Sequence, residues 1–331
     1  MNRFNWGVLG VSGHFRSRIL VPLSTSPTDR ILAIASRNGD RARRAAEEMG
    51  IPLSFGSYEE LLKNPEVEGV YIPLPNSSHL EWIEKAAAAG KHVLCEKPLT
   101  LSAADTAGAF ETARKKGVRL MEAFMFPFHP QWIRIREILR SGEIGSPVSL
   151  EIRFAFDNRD ENNIRNKPEL GGGALRDIGC YGIAVTRFIT GGRPEKLLSL
   201  IRRDSRFGTD ILTSALMDYG DFHGSFTVST QCWAGQSVVL SGTKGNIFVD
   251  IPFNMFPDMP ARLRVVTGMG ERIVSTGAAD QYGLEFQGFS RAVRENDDAF
   301  FEEKRRFSED IQMIMDGLFR SEETGTWEEL P

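Results

Sequence analysis

Residues 1–122 alternate between two hydrophobic periods, and no other feature of the sequence restricts the fold as strongly. Runs rich in Val, Ile and Leu appear at WGVLGV (6–11), ILAIAS (31–36), GVYIPLP (69–75), KHVLCE (91–96) and VRLMEAF (118–124). Amphipathic stretches separate several of them: GDRARRAAEEMG (39–50), SYEELLKN (57–64) and SSHLEWIEKAAAAGK (77–91). Strands that are apolar nearly throughout are covered on both faces, and their alternation with helices implies a parallel sheet. The expectation is a doubly wound α/β domain whose ligand lies at the carboxyl ends of the strands.

From residue 147 the pattern changes. PVSLEIRFAFD, EKLLSLIRRD, ILTSALMDYGDFHGSFTVSTQCW, QSVVLSGTKGNIFVDIPF and ARLRVVTGMGERIVST read as longer alternating strands. Tyr219-Gly220-Asp221 and Thr243-Lys244-Gly245-Asn246 read as hairpin turns. These predict an α+β second domain with a large open, mainly antiparallel sheet, and 281–320 reads as helix. A chain of 331 residues suits two domains, 1–122 and 123–331.

Composition narrows the partners. Forty Lys and Arg stand against 44 Asp and Glu, a net charge of -4, whereas a protein that tracks nucleic-acid phosphates normally carries a basic surplus. No nucleic acid and no membrane are expected, because no apolar run reaches spanning length. The N-terminus lacks the pattern of a secretory signal, and Cys95, Cys180 and Cys232 have no metal or disulfide spacing; a reducing cytoplasm and no metal are expected.

The first strand runs into GVLGVSGHF, which partly fits the G-x-G-x-x-G turn of a Rossmann domain. Gly10 takes the first position, Ser12 the second and Phe15 the last, with Gly13 an extra glycine. On these residues alone, a plain glycine-rich turn fits equally well. The second strand ends ASRNGDRARR, with Ser36, Arg37 and Arg41 and no acid at its tip. A guanidinium beside a hydroxyl suits a ribose 2′-phosphate, whereas an acid suits the 2′-hydroxyl. The expected cofactor is therefore NADP, with NAD the alternative.

Four stretches resemble one family. YIPLPNSSHLEWIEKAAAAGKHVLCEKPLT (71–100) is similar to the fourth and fifth strands of the Gfo/Idh/MocA oxidoreductases, with their E-K-P tripeptide. LMEAFMFPFHPQ (120–131), NIRNKPELGGGALRDIGCYGI (163–183) and VDIPFNMFPD (249–258) resemble further family segments in order. His14-Phe15, Pro127 and Ile164 depart from the usual Ile-Ala, arginine and tryptophan. The resemblance covers the chain to about residue 300, closest to the glucose-fructose oxidoreductase and xylose or dihydrodiol dehydrogenase branch. It implies a dinucleotide-binding first domain and a second domain for substrate binding and oligomerisation.

The resemblance also implies a site. Cofactor contacts are expected from Gly10, Ser12, Gly13, His14, Ser36, Arg37, Arg41, Leu74, Pro75, Asn76, His79, Glu96, Lys97, Pro98 and Arg165. Asn76 and His79 also fit a plain helix start. Substrate is expected to meet Lys97, Phe126, His129, Arg165, Asp177 and Tyr181. Asp177 and Tyr181 stand four residues apart, on one face of a helix, and Gly171-Gly172-Gly173 ahead of it permits close approach of a ligand. A free tyrosine ionises near pH 10. Tyr181 as general acid/base therefore needs the positive charge of Lys97, with Asp177 orienting substrate hydroxyls or Lys97. The implied activity is hydride transfer between nicotinamide and a sugar-like small molecule. A cofactor-retaining glycosidase and a non-enzymatic NAD(P)-binding regulator are the alternatives; such regulators lose the lysine, which is present here. A homodimer or homotetramer formed through the C-terminal sheet is expected, as is a cis bond before Pro98.

Overall fold

The apolar runs form a six-stranded parallel sheet in the computed structural model, which describes residues 2–330. Its strands are β1 (Phe4–Leu9), β2 (Asp29–Ala35), β3 (Leu53–Phe55), β4 (Gly69–Ile72), β5 (His92–Glu96) and β6 (Leu120–Ala123). Their spatial order is β3-β2-β1-β4-β5-β6. The connections after β1 therefore leave to one side and those after β4 to the other, which opens a crevice at the carboxyl ends. The edge strand β3 is too short to announce itself by periodicity.

The helices are α1 (Leu20–Ser24), α2 (Gly39–Met49), α3 (Tyr58–Leu62), α4 (His79–Ala88) and α5 (Ala103–Lys115). Local sequence sets their ends: Asn38 accepts the Arg41 amide at the start of α2, and Gly50, at φ 64°, stops it. On one face of the sheet, Leu61, Trp82, Ile83 and Phe110 pack on Leu9, Val70 and Val93. Gly7 is required there, since a Cβ would sit 2.6 Å from Leu61 Cδ2. On the other face, Trp6 meets Phe286 and Phe289 of α8 (Gln281–Glu295), with ring centroids 4.8 and 5.2 Å away. The buried Trp6 indole N–H donates to Asp29 at 2.8 Å.

Two compact units divide the chain. The first holds residues up to Met125 together with Tyr282–Ser308, and the second holds Phe126–Gln281 together with the chain from Glu309 onward. The predicted C-terminal helix is thus two helices, α8 and α9 (Asp298–Thr324), with Asn296 at φ 52° in the break.

The second unit contains α6 (Pro130–Arg140), β7 (Pro147–Asp157), α7 (Cys180–Thr190), β8 (Lys196–Arg203), β9 (Asp210–Asp218) and β10 (His223–Ser229). Then follow β11 (Gln231–Gly242), β12 (Gly245–Val249), β13 (Arg262–Thr267), β14 (Gly270–Ser275) and β15 (Glu328–Glu329). They form one nine-stranded sheet, β14-β13-β12-β11-β7-β10-β9-β8-β15, antiparallel except at β7–β10. Both predicted hairpins are present, β9–β10 and β11–β12. Helix α7 lies unusually close to β10: a Cβ at Gly182 would meet the Phe226 ring at 2.7 Å, and one at Gly224 would meet Thr186 at 2.7 Å. The same sheet carries exposed apolar side chains, Leu200 at 77% and Leu216 at 49%, a pattern that leaves one face open to cover. Among the described residues, no helix is long and apolar enough to cross a membrane.

Candidate functional site

In the first unit, the predicted cofactor residues gather where strands β1, β2, β4 and β5 end. Gly10 takes φ 118°, a backbone state open to glycine, and a Cβ there would touch Leu74 Cδ2 at 3.0 Å. Ser12 Oγ accepts the Phe15 amide at 3.0 Å and caps the following turn. That turn is π-helical over Phe15–Ile19, and Phe15, which stands where the family usually has alanine, is completely buried. Gly13 meets no such constraint.

At the tip of β2, Ser36 is buried and Arg37 exposed. Ser36 Oγ accepts the Asn38 amide at 3.2 Å, while Arg37 lies against the Tyr58 hydroxyl. Burial raises the Tyr58 pKa, and the Arg37 and Arg41 charges oppose that rise. Arg41 turns inward: its Nη2 donates to the Val11 carbonyl at 2.7 Å and ties α2 to the glycine turn. A neighbouring cleft of about 570 Å³ is lined by Asn38, Gly39, Asp40, Arg43, Ser54, Phe55 and Gly56.

Leu74, Pro75 and Asn76 form the half-buried turn before α4. His79 is fully buried, with Nδ1 2.8 Å from the Pro98 carbonyl and Nε2 2.9 Å from the Leu74 carbonyl. It buckles the turns after β4 and β5 together, and burial lowers its pKa.

Glu96 ends β5 and Lys97 follows, half-buried, with a cis bond to Pro98. Tyr71 donates to Glu96 Oε1 at 2.6 Å, and His14 Nε2 stands 3.4 Å from the same oxygen. Burial works against the Glu96 charge, yet His14, Lys97 and Tyr71 together hold its carboxyl at about 2. The Tyr71 hydroxyl is pushed well up by burial and then by Glu96. Glu122, on β6, is pushed up to about 7 by burial, and Glu285, on α8, is raised well above the carboxylate range by burial and then by Glu96.

In the second unit, Arg165 Nε donates to Asp177 Oδ2 at 2.7 Å. Asp177 lies in a π-helical turn, Leu175–Gly179, that runs directly into α7 and Tyr181. Two of the three glycines before it, Gly172 and Gly173, make room for the chain itself. A Cβ at Gly172 would strike the Arg165 carbonyl, and one at Gly173, at φ 120°, would strike the Asp210 carboxylate. Asp210 in turn accepts the Leu175 amide at 2.6 Å. Arg165 and Asp210 lie close against Gly172 and Gly173.

Tyr181 is 7% exposed and surrounded by aromatic rings: Phe253 at 4.9 Å, Phe154 at 5.8 Å and Phe126 at 6.5 Å between centroids. Phe253 sits on a loop whose carbonyls are pinned from three sides. Gln131 donates to Ile251 at 3.2 Å, Trp132 to Pro252 at 2.9 Å and Gln281 to Phe253 at 2.6 Å. Gln236 accepts the Phe253 and Asn254 amides. His129 is buried, and its Nδ1 accepts the Gln131 amide at 3.1 Å as the cap of α6.

Tyr58, Tyr71, Glu122 and Phe253 were not singled out in the sequence. The last three stand inside the family-like segments, so the signal was present; their partners, distant in sequence, were not. Among the described residues, no group of three or more His, Cys, Asp or Glu is placed to hold a metal ion.

Comparison with known proteins agrees with this layout. Residues 4–124 match the family described as oxidoreductases with an NAD-binding Rossmann fold, and residues 132–248 match the GFO/IDH/MocA C-terminal domain. A D-xylose 1-dehydrogenase (NADP(+)) from Haloferax volcanii is 36% identical, over 98% of this chain and 99% of its own. The mouse trans-1,2-dihydrobenzene-1,2-diol dehydrogenase is 35% identical over 72% of each chain. A crystal structure of a 3-ketoreductase from Actinomadura kijaniata, in complex with NADP and TDP-benzene, superposes with a TM-score of 0.90 at 29% identity, covering 97% of this chain and 98% of its own. The motifs, the two sheets and these likenesses agree: the chain belongs to the GFO/IDH/MocA oxidoreductase family.

Proposed function

We propose that the protein is an NADP-dependent oxidoreductase that interconverts an alcohol and a carbonyl on a sugar or sugar derivative. The observation that carries this reading is the joint presence of Lys97, at the carboxyl end of β5, and Tyr181, at the start of α7. The solved variants of the Actinomadura ketoreductase include one lysine and one tyrosine replacement, separated by the same number of positions as Lys97 and Tyr181.

The residues at the ends of the first sheet fit the cofactor. Gly10 leaves no side chain over the turn, and Arg37 presents an exposed guanidinium beside Ser36 with no acid at the tip of β2. Such a pair matches a 2′-phosphate in charge and geometry. Arg41 contributes by holding the turn through Val11. When bound, NADP supplies or accepts the hydride at the nicotinamide ring.

Tyr181 carries the proton to or from the substrate oxygen through its phenol. Lys97 places a positive charge that favours phenolate and stabilises negative charge on the reacting oxygen. Asp177, oriented by Arg165, binds sugar hydroxyls. Glu96, kept charged by Tyr71, His14 and Lys97, faces the cofactor ribose or orders the turn around it. Phe126 and His129 act through the second-unit framework, as ring packing and helix cap. Exposed Leu200 and Leu216 suit pairing with a second copy, for which light scattering should give a dimer or tetramer mass.

The test is a panel of aldoses and oxidised sugars, followed by absorbance at the nicotinamide band with NADP and NAD in parallel. The expected result is turnover of a sugar with NADP preferred. Preference for NAD would refute the role of Ser36 and Arg37. Glycoside cleavage with no net cofactor change would refute the redox reading.

A further inference from the structure

We propose that Glu122 is the positioning residue of the Lys97 turn, and that its carboxyl is a protonation switch on Lys97. The inference rests on the reading of Lys97 given above. Glu122 pairs in register with Cys95 on the neighbouring strand, one residue before Glu96 and two before Lys97. It is 6% exposed, and its Oε1 accepts the Leu99 amide at 2.8 Å. That bond fixes the turn Lys97-Pro98-Leu99 from its far side, so the path of Lys97 depends on a side chain from the next strand.

The carboxyl is otherwise enclosed: Oε2 is buried, and the Ser308 hydroxyl is the side-chain donor that approaches the carboxyl. An oxygen in that position is costly when charged and tolerable when protonated. The charges that act on it come from Lys97 and Glu96 at the end of β5 and the turn after it, with the Cys95 thiol beside it on β5; the hydroxyl of Ser308 approaches from α9. Burial raises the Glu122 pKa to about 7 and Glu96 adds to the rise, while Ser308, the Leu99 amide and Lys97 oppose it. Below this value Glu122 is neutral and Glu96 is the charged carboxylate of the turn. Above it, a second negative charge faces Lys97 and favours its ammonium form. The lysine therefore senses pH in the neutral range through a buried carboxyl on the neighbouring strand.

Two readouts test this without turnover. Lysines labelled by reductive ¹³C-methylation are followed by NMR, with the Lys97 signal assigned by its loss in Lys97→Met. The wild-type Lys97 signal should shift with an inflection near pH 7. Glu122→Gln keeps an oxygen for the Leu99 amide but cannot ionise, so it should abolish that inflection. An inflection that survives in Glu122→Gln, or is absent from the wild type, overturns the proposal.

Thermal unfolding gives the second readout and the sign. The native pKa lies above the unfolded value of 4.5, so Glu122 contributes its full stability below about 4.5 and loses it as pH rises through about 7. The Tm of Glu122→Gln should therefore rise relative to wild type between pH 5 and pH 8; a gap that ignores pH overturns the switch. If Glu122→Gln does not fold, Glu122→Asp, which retracts the charge, must move the NMR inflection, and an unmoved inflection counts against the proposal. Because neither readout needs catalysis, the two readings fail separately: normal turnover in Lys97→Met sinks the catalytic role alone.

Discussion

The Glu96 turn and the surroundings of Tyr181 enclose their side chains with different kinds of neighbour. Glu96 is 16% exposed at its side chain yet stays ionised, because Tyr71, His14 and Lys97 each offer it a donor or a charge. Tyr181 is 7% exposed and packs among the rings of Phe253, Phe154 and Phe126. The first surrounding keeps a charge in place. The second orients a ring and excludes water from it. The contrast teaches that burial alone does not decide a group's state, since Glu122 on the strand beside Glu96 is also buried and is pushed to about 7.

The contrast breaks at three positions. The largest effect is expected at Phe253, whose ring also stacks on Phe154 at 5.1 Å. Phe253→Ala should cost about 4 kcal/mol in urea unfolding and lower kcat more than it raises KM, because Tyr181 loses the ring that orients it. A loss confined to stability would detach Phe253 from the chemistry.

Tyr71→Phe comes next, at about 2 kcal/mol, the usual worth of a hydrogen bond to a charged group. Without Tyr71 the Glu96 carboxyl rises above about 2, while His14 and Lys97 continue to hold it down. The stability difference from wild type should be complete above about pH 4.5 and shrink as pH falls toward 2. Unfolding at pH 7 and pH 3.5 checks it: an equal cost at both values would mean that the hydroxyl contributes packing rather than charge stabilisation.

The smallest effect belongs to Arg41→Ala, which removes one bond to the Val11 carbonyl on an exposed helix, about 1 kcal/mol. Its weakening of NADP binding should be milder than that of Arg37→Ala in a fluorescence titration. The reverse order would make Arg41 the phosphate ligand.

These positions also mark how far the sequence could be read. The parallel sheet was legible because β1, β2, β4, β5 and β6 are each apolar on both faces, and the E-K-P, M-E-A-F and G-G-G segments announced the family. The three-residue β3 was not legible, having too few residues to show a period. The type and spacing of Arg41 suit a phosphate ligand; that its guanidinium also reaches the Val11 carbonyl is a fact of tertiary placement. The glycine triplet suits close approach of a ligand, and that Gly172 and Gly173 also lie against Arg165 and Asp210 is visible only in the folded chain. Tyr71 and Glu122 looked like strand residues among apolar neighbours, and only strand order places them against Glu96 and the Lys97 turn.

The most direct measurement of the central claim is Lys97→Met, assayed for sugar-dependent absorbance change at the nicotinamide band beside a fluorescence titration of NADPH. Turnover should fall by about a hundred- to a thousandfold, in keeping with the loss of a preorganised charge at the reacting oxygen, while NADPH affinity stays within a few-fold of wild type. Turnover that persists near the wild-type rate, with NADPH still bound, would contradict the account.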